Sequence, residues 1–447
     1  MSTTSLVPTA PPAPTVSCLP AVVGADLLAP TLNGTRGYAN LDHAASTPAL
    51  VAVRDAVDTV LQTYSSVHRG NGYASRVTSA WYEQAREEVA RFVGARPDDT
   101  VVFTRNTTDS LNLLARCLPN DTTVVVFGSE HHAALLPWAD STCVTLPVPT
   151  GVDRALADLD AALTGVTTQH RLVVVAGASN VTGEVWPIDR VGQVARRHGA
   201  RVALDAAQLA PHRALDLRRL DVDYVAFSGH KLYAPYGVGV LVGRSDWLDE
   251  AAPYLRGGGA TAQVTTTGAT WTTGAARHEG GSPNVVGAVA LAAACATLTR
   301  HRAAVEAHER TLLAELRAGL AAIPGVGLHS FFGHDHDRVG VVAFTVAGLD
   351  SSLVSAVLSA EHGIGVRDGK FCAHVLVDAL LREPSGQAPA TAVRASLGLG
   401  TTPEHVTRLV AAVAALAADG PTRPYVRTHG AWEPRDDTRV LALPRPW

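Results

Sequence analysis

The chain has 447 residues, 37 Lys+Arg against 41 Asp+Glu for a net charge of −4, 47% hydrophobic and 17% charged residues. That balance excludes a disordered chain, which could not bury a core, and a basic nucleic-acid binder. The longest apolar run near the middle, Val285 to Ala296, falls short of the roughly 18 residues a bilayer span needs, so no membrane association is expected. Five cysteines, Cys18, Cys117, Cys143, Cys295 and Cys372, show no CxxC spacing, and the first cation is Arg36. We expect a reducing, cytoplasmic setting without a cleaved leader. Lysine occurs only twice, as Lys231 and Lys370. A solvated surface cation can be either lysine or arginine, so each retained lysine asks what a guanidinium could not supply.

In chain order, residues 1–37 read as a proline-rich N-terminal arm, with Pro8, Pro11, Pro12, Pro14 and Pro20. A helical stripe of Trp81, Ala85, Val89 and Phe92 ends near Gly94. Short β-branched runs follow at Val101–Phe103, Val124–Phe127, Leu172–Ala176, Val202–Leu204, Tyr224–Phe227 and Val238–Val242, separated by helical patterns. Near-continuous apolar runs interleaved with helices predict a mostly parallel sheet covered on both faces. Residues 38–300 are therefore expected to form a large α/β domain. A small-residue helix from Val285 to about Thr299 should lead into a second helix carrying Glu306, Glu309 and Glu315, which ends near Pro324. A strand at Val339–Val346, a helix at Leu353–Glu361, a strand-like Gly365–Val366 and a helix at Thr402–Ala418 would complete a smaller α+β domain over 301–420. Residues 421–447 read as a second proline-containing arm. The ligand site of an open parallel sheet belongs at the carboxyl ends of its strands.

Lys231 follows the run Tyr224–Phe227 directly, where a loop emerges at a strand end. A primary amine there can form a Schiff base, which arginine cannot. Asp205 ends another apolar run 26 residues earlier, placed as a partner for the pyridinium nitrogen of pyridoxal phosphate; an N-cap would look the same. Gln208 could reach the same ligand. Thr107 and Thr108 lie between a strand and an apolar helix, a setting for a phosphate cradle or for ordinary capping.

Taken together, Leu41-Asp-His-Ala-Ala-Ser-Thr-Pro48, Val67-His-Arg-Gly70, Glu130-His-His132, Asp205-Ala-Ala-Gln208, Ser228-Gly-His-Lys231, Gly257-Gly-Gly259, Glu279-Gly-Gly-Ser-Pro-Asn284 and Arg394-Ala-Ser396 resemble, in order, the motifs of class V aminotransferases. The nearest branch is the group II cysteine desulfurases and selenocysteine lyases. The resemblance covers about residues 38–418 and implies the PLP-dependent transferase fold type I, an aspartate aminotransferase-like fold, with pyridoxal 5'-phosphate as cofactor and no metal. It implies Lys231 as the Schiff-base lysine and acid/base, Asp205 on the pyridinium nitrogen, Gln208 and Asn180 toward the ring and substrate, and His131 stacked on the ring. Thr107, Thr108, Ser228 and His230 would bind phosphate, with Ser282 supplied by the other subunit of a homodimer. Arg394 would clamp the substrate carboxylate.

Cys372, in Val366-Arg-Asp-Gly-Lys-Phe-Cys372-Ala-His, matches the segment carrying the sulfur-accepting cysteine of the desulfurases. Arg367 and Lys370 are expected to keep it ionised. Desulfurases commonly carry two histidines where this chain has Lys370 and Phe371, a proline in place of Val375, and a histidine in place of Gly72. The expected activity is conversion of L-cysteine to L-alanine with a persulfide on Cys372, followed by transfer to a sulfur-acceptor protein. The alternatives are an aminotransferase, epimerase or lyase of the same class acting on another amino acid, and a cofactor-free binding protein.

Overall fold

The computed structural model describes residues 18–68, 70–382, 391–441 and 445. Residues 1–17 of the N-terminal arm, Arg69 of the Val67-His-Arg-Gly70 motif, and residues 442–444 and 446–447 of the C-terminal arm lie outside the described residues.

Seven strands form the central sheet: β1 (Asp99–Thr104), β2 (Thr122–Phe127), β3 (Thr142–Leu146), β4 (His170–Ala176), β5 (Arg201–Asp205), β6 (Tyr224–Ser228) and β7 (Gly239–Arg244), in the order β1-β7-β6-β5-β4-β2-β3. Six run parallel and β7 runs antiparallel between β1 and β6. Every residue of β2 and β6 is buried, as a strand covered on both faces requires. The edge strand β3 leaves most of its residues in contact with water. Its mixed sequence Thr-Cys-Val-Thr-Leu lacks the continuous apolar run by which its neighbours are read.

Helices α1 (Val51–Leu61) and α2 (Tyr73–Phe92) precede the sheet, and α3 (Thr107–Arg116) connects β1 to β2. The two helices expected on either side of Thr299 are one: α4 runs unbroken over 37 residues, Val285–Ala321. No proline, and no glycine between Gly287 and Gly319, interrupts its backbone ladder. Its first half buries Leu291 and Leu298 in the large sheet's core and Ala288 against Val60 and Tyr82 of α1 and α2, and its second half buries Leu312, Leu316 and Leu320 in a separate apolar cluster.

That second cluster covers an antiparallel sheet of β8 (Val326–Leu328), β9 (Val341–Val346), β10 (Arg367–Gly369) and β11 (Ala392–Ser396), ordered β8-β9-β11-β10. Helices α5 (Ser351–His362) and α6 (Pro403–Asp419) complete the unit. Thr402 caps α6 and Pro403 occupies its first turn, as the sequence predicts. The described part of the C-terminal segment folds into a hairpin, Tyr425–Thr428 with Ala431–Pro434, and Tyr425 donates to Glu361 at 3.2 Å. No helix among the described residues is long and apolar enough to cross a membrane.

The segment Ala39–Thr47 stitches the two units together. Ala39–Asn40 pairs in parallel with Ile364–Gly365, and the Ala44 N–H donates to Ser396 Oγ at 2.9 Å. At its other end the Thr47 N–H donates to the His230 carbonyl at 2.8 Å. A buried ionic cluster adds to the junction: Glu309 on α4 accepts from Arg213 at 2.7 Å and also pairs with His212. Burial alone would raise the Glu309 carboxyl, but His212 and Arg213 outweigh it and hold it at about 2, against 4.5 when free.

A carboxyl depressed on folding stabilises the protein above its unfolded value and loses that contribution as pH falls from about 4.5 to about 2. We predict that Glu309→Gln destabilises the fold at pH 7 by about 3 kcal/mol, read by urea unfolding. The acid loss of stability between those pH values should be correspondingly shallower in the variant.

Candidate active site

The carboxyl ends of β1, β2, β4, β5 and β6 and two segments of the smaller unit enclose one cavity of about 610 Å³. Parallel strands in register end on one edge of a sheet, so the loops after them converge there. Asp205 is the last residue of β5, and Lys231 sits in the turn Gly229–Lys231 that follows β6. The Ser46 hydroxyl and the Thr47 N–H and hydroxyl all donate to the His230 carbonyl, which pins that turn.

Lys231 lines the cavity. Enclosure lowers its amine to about 8, with Asp205 opposing the shift and Arg394 adding to it. Burial raises Asp205 while the Ala207 N–H, at 2.9 Å from Oδ1, and Lys231 hold it down. Among the described residues, Oδ2 has no protein donor and is left to the cavity. Burial, then the Lys231 charge, lowers His131 to about 3 and His230 to about 4, so both imidazoles are neutral.

The capping alternative for Thr107 and Thr108 is resolved by the preceding residue. Asn106 caps α3 by accepting from the Asp109 N–H at 3.0 Å, the Thr107 N–H donates to Ser228 Oγ at 2.7 Å, and the Thr107 and Ser228 hydroxyls share a hydrogen bond of 2.6 Å. Thr108 is exposed at the cavity rim. Gly239 makes this arrangement possible: a Cβ there would lie 2.5 Å from the Asn106 Cα. Gln208 donates to the Ala44 carbonyl at 2.7 Å, and Asn180 donates to the Phe371 carbonyl at 2.7 Å.

Arg394, on β11, is almost fully buried. Its Nη1 donates to the Asn180 carbonyl and its Nη2 to Asp42, both at 3.0 Å, while Nε has no partner. The guanidinium stands 5.1 Å from the centre of the Phe371 ring. Cys372 is exposed, and Phe371 and Cys372 adopt left-handed φ of 52° and 55°. Each such non-glycine residue costs roughly 1–3 kcal/mol, strain typical of functional loops.

Thirteen of the residues singled out from the sequence line this one cavity: Thr107, Thr108, His131, Asn180, Asp205, Gln208, Ser228, His230, Lys231, Arg367, Lys370, Cys372 and Arg394. Ser282 does not; it lies exposed on a separate cleft of about 410 Å³ with Phe103 and Tyr254. The Lys370 ammonium pairs with Asp378 at 2.6 Å. Sequence reasoning missed Asp42 as the Arg394 partner, because nothing local in Leu41-Asp-His predicts a contact 352 residues away. It also gave no role to Glu130, which is buried, accepts from the Ala176 N–H at 2.7 Å and leaves Oε1 unpartnered. Burial and Asp205 together raise the Glu130 carboxyl well above its ordinary range, while the Ala176 N–H opposes the shift.

With two lysines in the chain, reductive ¹³C-methylation gives an easily assigned lysine NMR spectrum. In protein stripped of small molecules we predict a Lys231 midpoint near 8. Asp205→Asn should move that midpoint lower, because the variant loses the one nearby carboxylate that stabilises the ammonium.

The Aminotransferase class-V family model matches residues 39–409. A protein of Vibrio cholerae named "Probable cysteine desulfurase" is 34% identical over 386 residues, 83% of this chain and 92% of that protein. "Cysteine desulfurase CsdA" of Escherichia coli is 36% identical over 352 residues, 75% of this chain and 85% of that one. Among solved structures, the apo cysteine desulfurase of Thermococcus onnurineus superposes with a TM-score of 0.76 at 31% identity, covering 85% of this chain and 94% of that one. The structure of E. coli CsdA in an S-sulfonic acid form gives 0.71 at 33% identity, covering 84% and 94%. A strand order that gathers five loops around one lysine, and likeness to these proteins along most of the sequence, place the chain in the class-V aminotransferase family.

Proposed function

We propose that this protein is a pyridoxal 5'-phosphate-dependent cysteine desulfurase that converts L-cysteine to L-alanine and takes up the sulfur on Cys372. One observation carries the reading: an enclosed amine, a buried carboxylate, a buried guanidinium and an accessible thiol meet at a single cavity. The cavity volume, about 610 Å³, suits an aromatic phosphate ester together with a small amino acid. The residues fit that group. Ser228, Thr107, Thr108, His230 and the N-terminus of α3 would hold the phosphate, Asp205 would partner the ring nitrogen, and Lys231 offers an amine whose lowered affinity for protons suits it to bind an aldehyde.

When bound, the cofactor withdraws electrons from the substrate α-carbon. Lys231 then delivers or removes a proton at that carbon. Arg394 takes the substrate carboxylate through its planar fork, aimed by the Asn180 carbonyl and Asp42. Neutral His131 covers the cavity from the β2 loop and can exchange a proton. In the net reaction the Cys372 thiol becomes a persulfide, the Cβ–S bond of L-cysteine breaks, and Cβ gains a hydrogen to give L-alanine. The sulfur passes on to an acceptor that reaches the exposed Cys372. We also propose that Ser282 serves the phosphate site of a second copy in a homodimer.

The test is incubation of the cofactor-loaded protein with a panel of amino acids while alanine, sulfide and keto acid are measured together. L-Cysteine should yield alanine, and Cys372→Ser should abolish it while the cofactor absorbance remains. Alanine formation surviving in Cys372→Ser, or keto acid as the product, would overturn the reading. Arg394→Ala, which removes a charge-assisted contact to the substrate carboxylate, should raise KM roughly 10- to 100-fold.

A further inference from the structure

The left-handed pair Phe371 and Cys372 is held from across the cavity mouth. Asn180 Nδ2 donates to the Phe371 carbonyl at 2.7 Å. His132, at the start of the short helix after β2, engages both sides of the nucleophile. Its backbone N–H donates to the Cys372 carbonyl at 2.8 Å, and its ring Nε2 accepts from the His374 N–H at 3.5 Å. The two imidazoles also pack edge to face, with centroids 4.6 Å apart. On the outer side the loop is closed by the Ala373 N–H on the Lys370 carbonyl at 2.8 Å and by the Lys370–Asp378 pair. An unglycinated loop would leave this conformation unless its surroundings over-determine it.

We infer that His132 is a positioning residue for the Cys372 thiol, its ring acting as the clamp that keeps the strained loop turned toward Lys231 and Arg394. The inference rests on the reading of Cys372 as the sulfur-accepting nucleophile. An acceptor at Nε2 means a neutral ring with its proton on Nδ1. Glutamine, whose Oε1 reaches a similar distance, can replace that acceptor. Phenylalanine keeps the packing on His374 and cannot accept. The backbone bond from residue 132 to the Cys372 carbonyl survives every substitution, so a variant series isolates the ring.

The experiment compares cofactor-loaded wild type with His132→Ala, His132→Phe and His132→Gln. Two readouts are taken: kcat and KM for alanine formation, and hydrogen exchange of the peptide covering residues 370–378. Misplacing a reacting group by about 1 Å can cost roughly 100-fold, so His132→Ala and His132→Phe should lower kcat about 10- to 100-fold with KM within about twofold. Both should exchange faster in this peptide, and His132→Gln should restore kcat and protection together. Native kcat and native exchange in His132→Phe would overturn the inference, as would failure of His132→Gln to recover either. If wild type makes no alanine, the function fails on its own account. The exchange comparison then still decides whether the His132 ring holds the loop.

Discussion

A buried amine beside a buried carboxylate is the constraint around which the rest of this molecule is arranged. An isolated ammonium or carboxylate removed from water is costly, and each lowers the other's cost when the two are enclosed together. Asp205 and Lys231 come from the ends of neighbouring parallel strands, β5 and β6, whose register brings Asp205 opposite Ala226. The sheet therefore delivers the pair without help from side chains. A second carboxyl, Glu130, shares the interior, and a second negative charge there would upset the balance. Burial, and then Asp205, push the Glu130 carboxyl toward its neutral form.

The remaining chemistry is imported from the smaller unit. Arg394 on β11 and the Phe371–Cys372 loop after β10 reach the cavity across the junction. Three devices fix that approach: the unbroken α4, which contributes to the cores of both units; the segment Ala39–Thr47, which joins Ser396 to the His230 turn; and the buried Glu309 cluster. Each joins parts of the chain far apart in sequence. A small relative movement of the two units would separate the thiol and the guanidinium from the amine, and hence the reactive groups from one another.

The two lysines have different physical standing. At position 231 the proposed function calls for an amine able to do covalent carbonyl chemistry, which a guanidinium does not perform. At position 370 the side chain forms an ion pair with Asp378, a task open to either cation.

What the sequence determined by itself was whatever local physics governs. The apolar runs gave six of the seven central strands, because a strand covered on both faces must be apolar throughout; β3 escaped because an edge strand need not be. Breaker residues placed the end of α2 near Gly94 and the start of α6 at Pro403, while a change of composition at Thr299, with no breaker, was mistaken for the end of a helix. Thirteen residues singled out from the sequence line the cavity, because each occupies a strand end, a helix start or a recognisable motif. Tertiary structure alone decided the pairings: Asp42 with Arg394, Lys370 with Asp378, His132 with the Cys372 loop, and Ser282 apart from the cavity. Those depend on where distant segments meet, and only the packed core, which burial and charge pairing bring to a minimum together, selects among the partners a side chain could have.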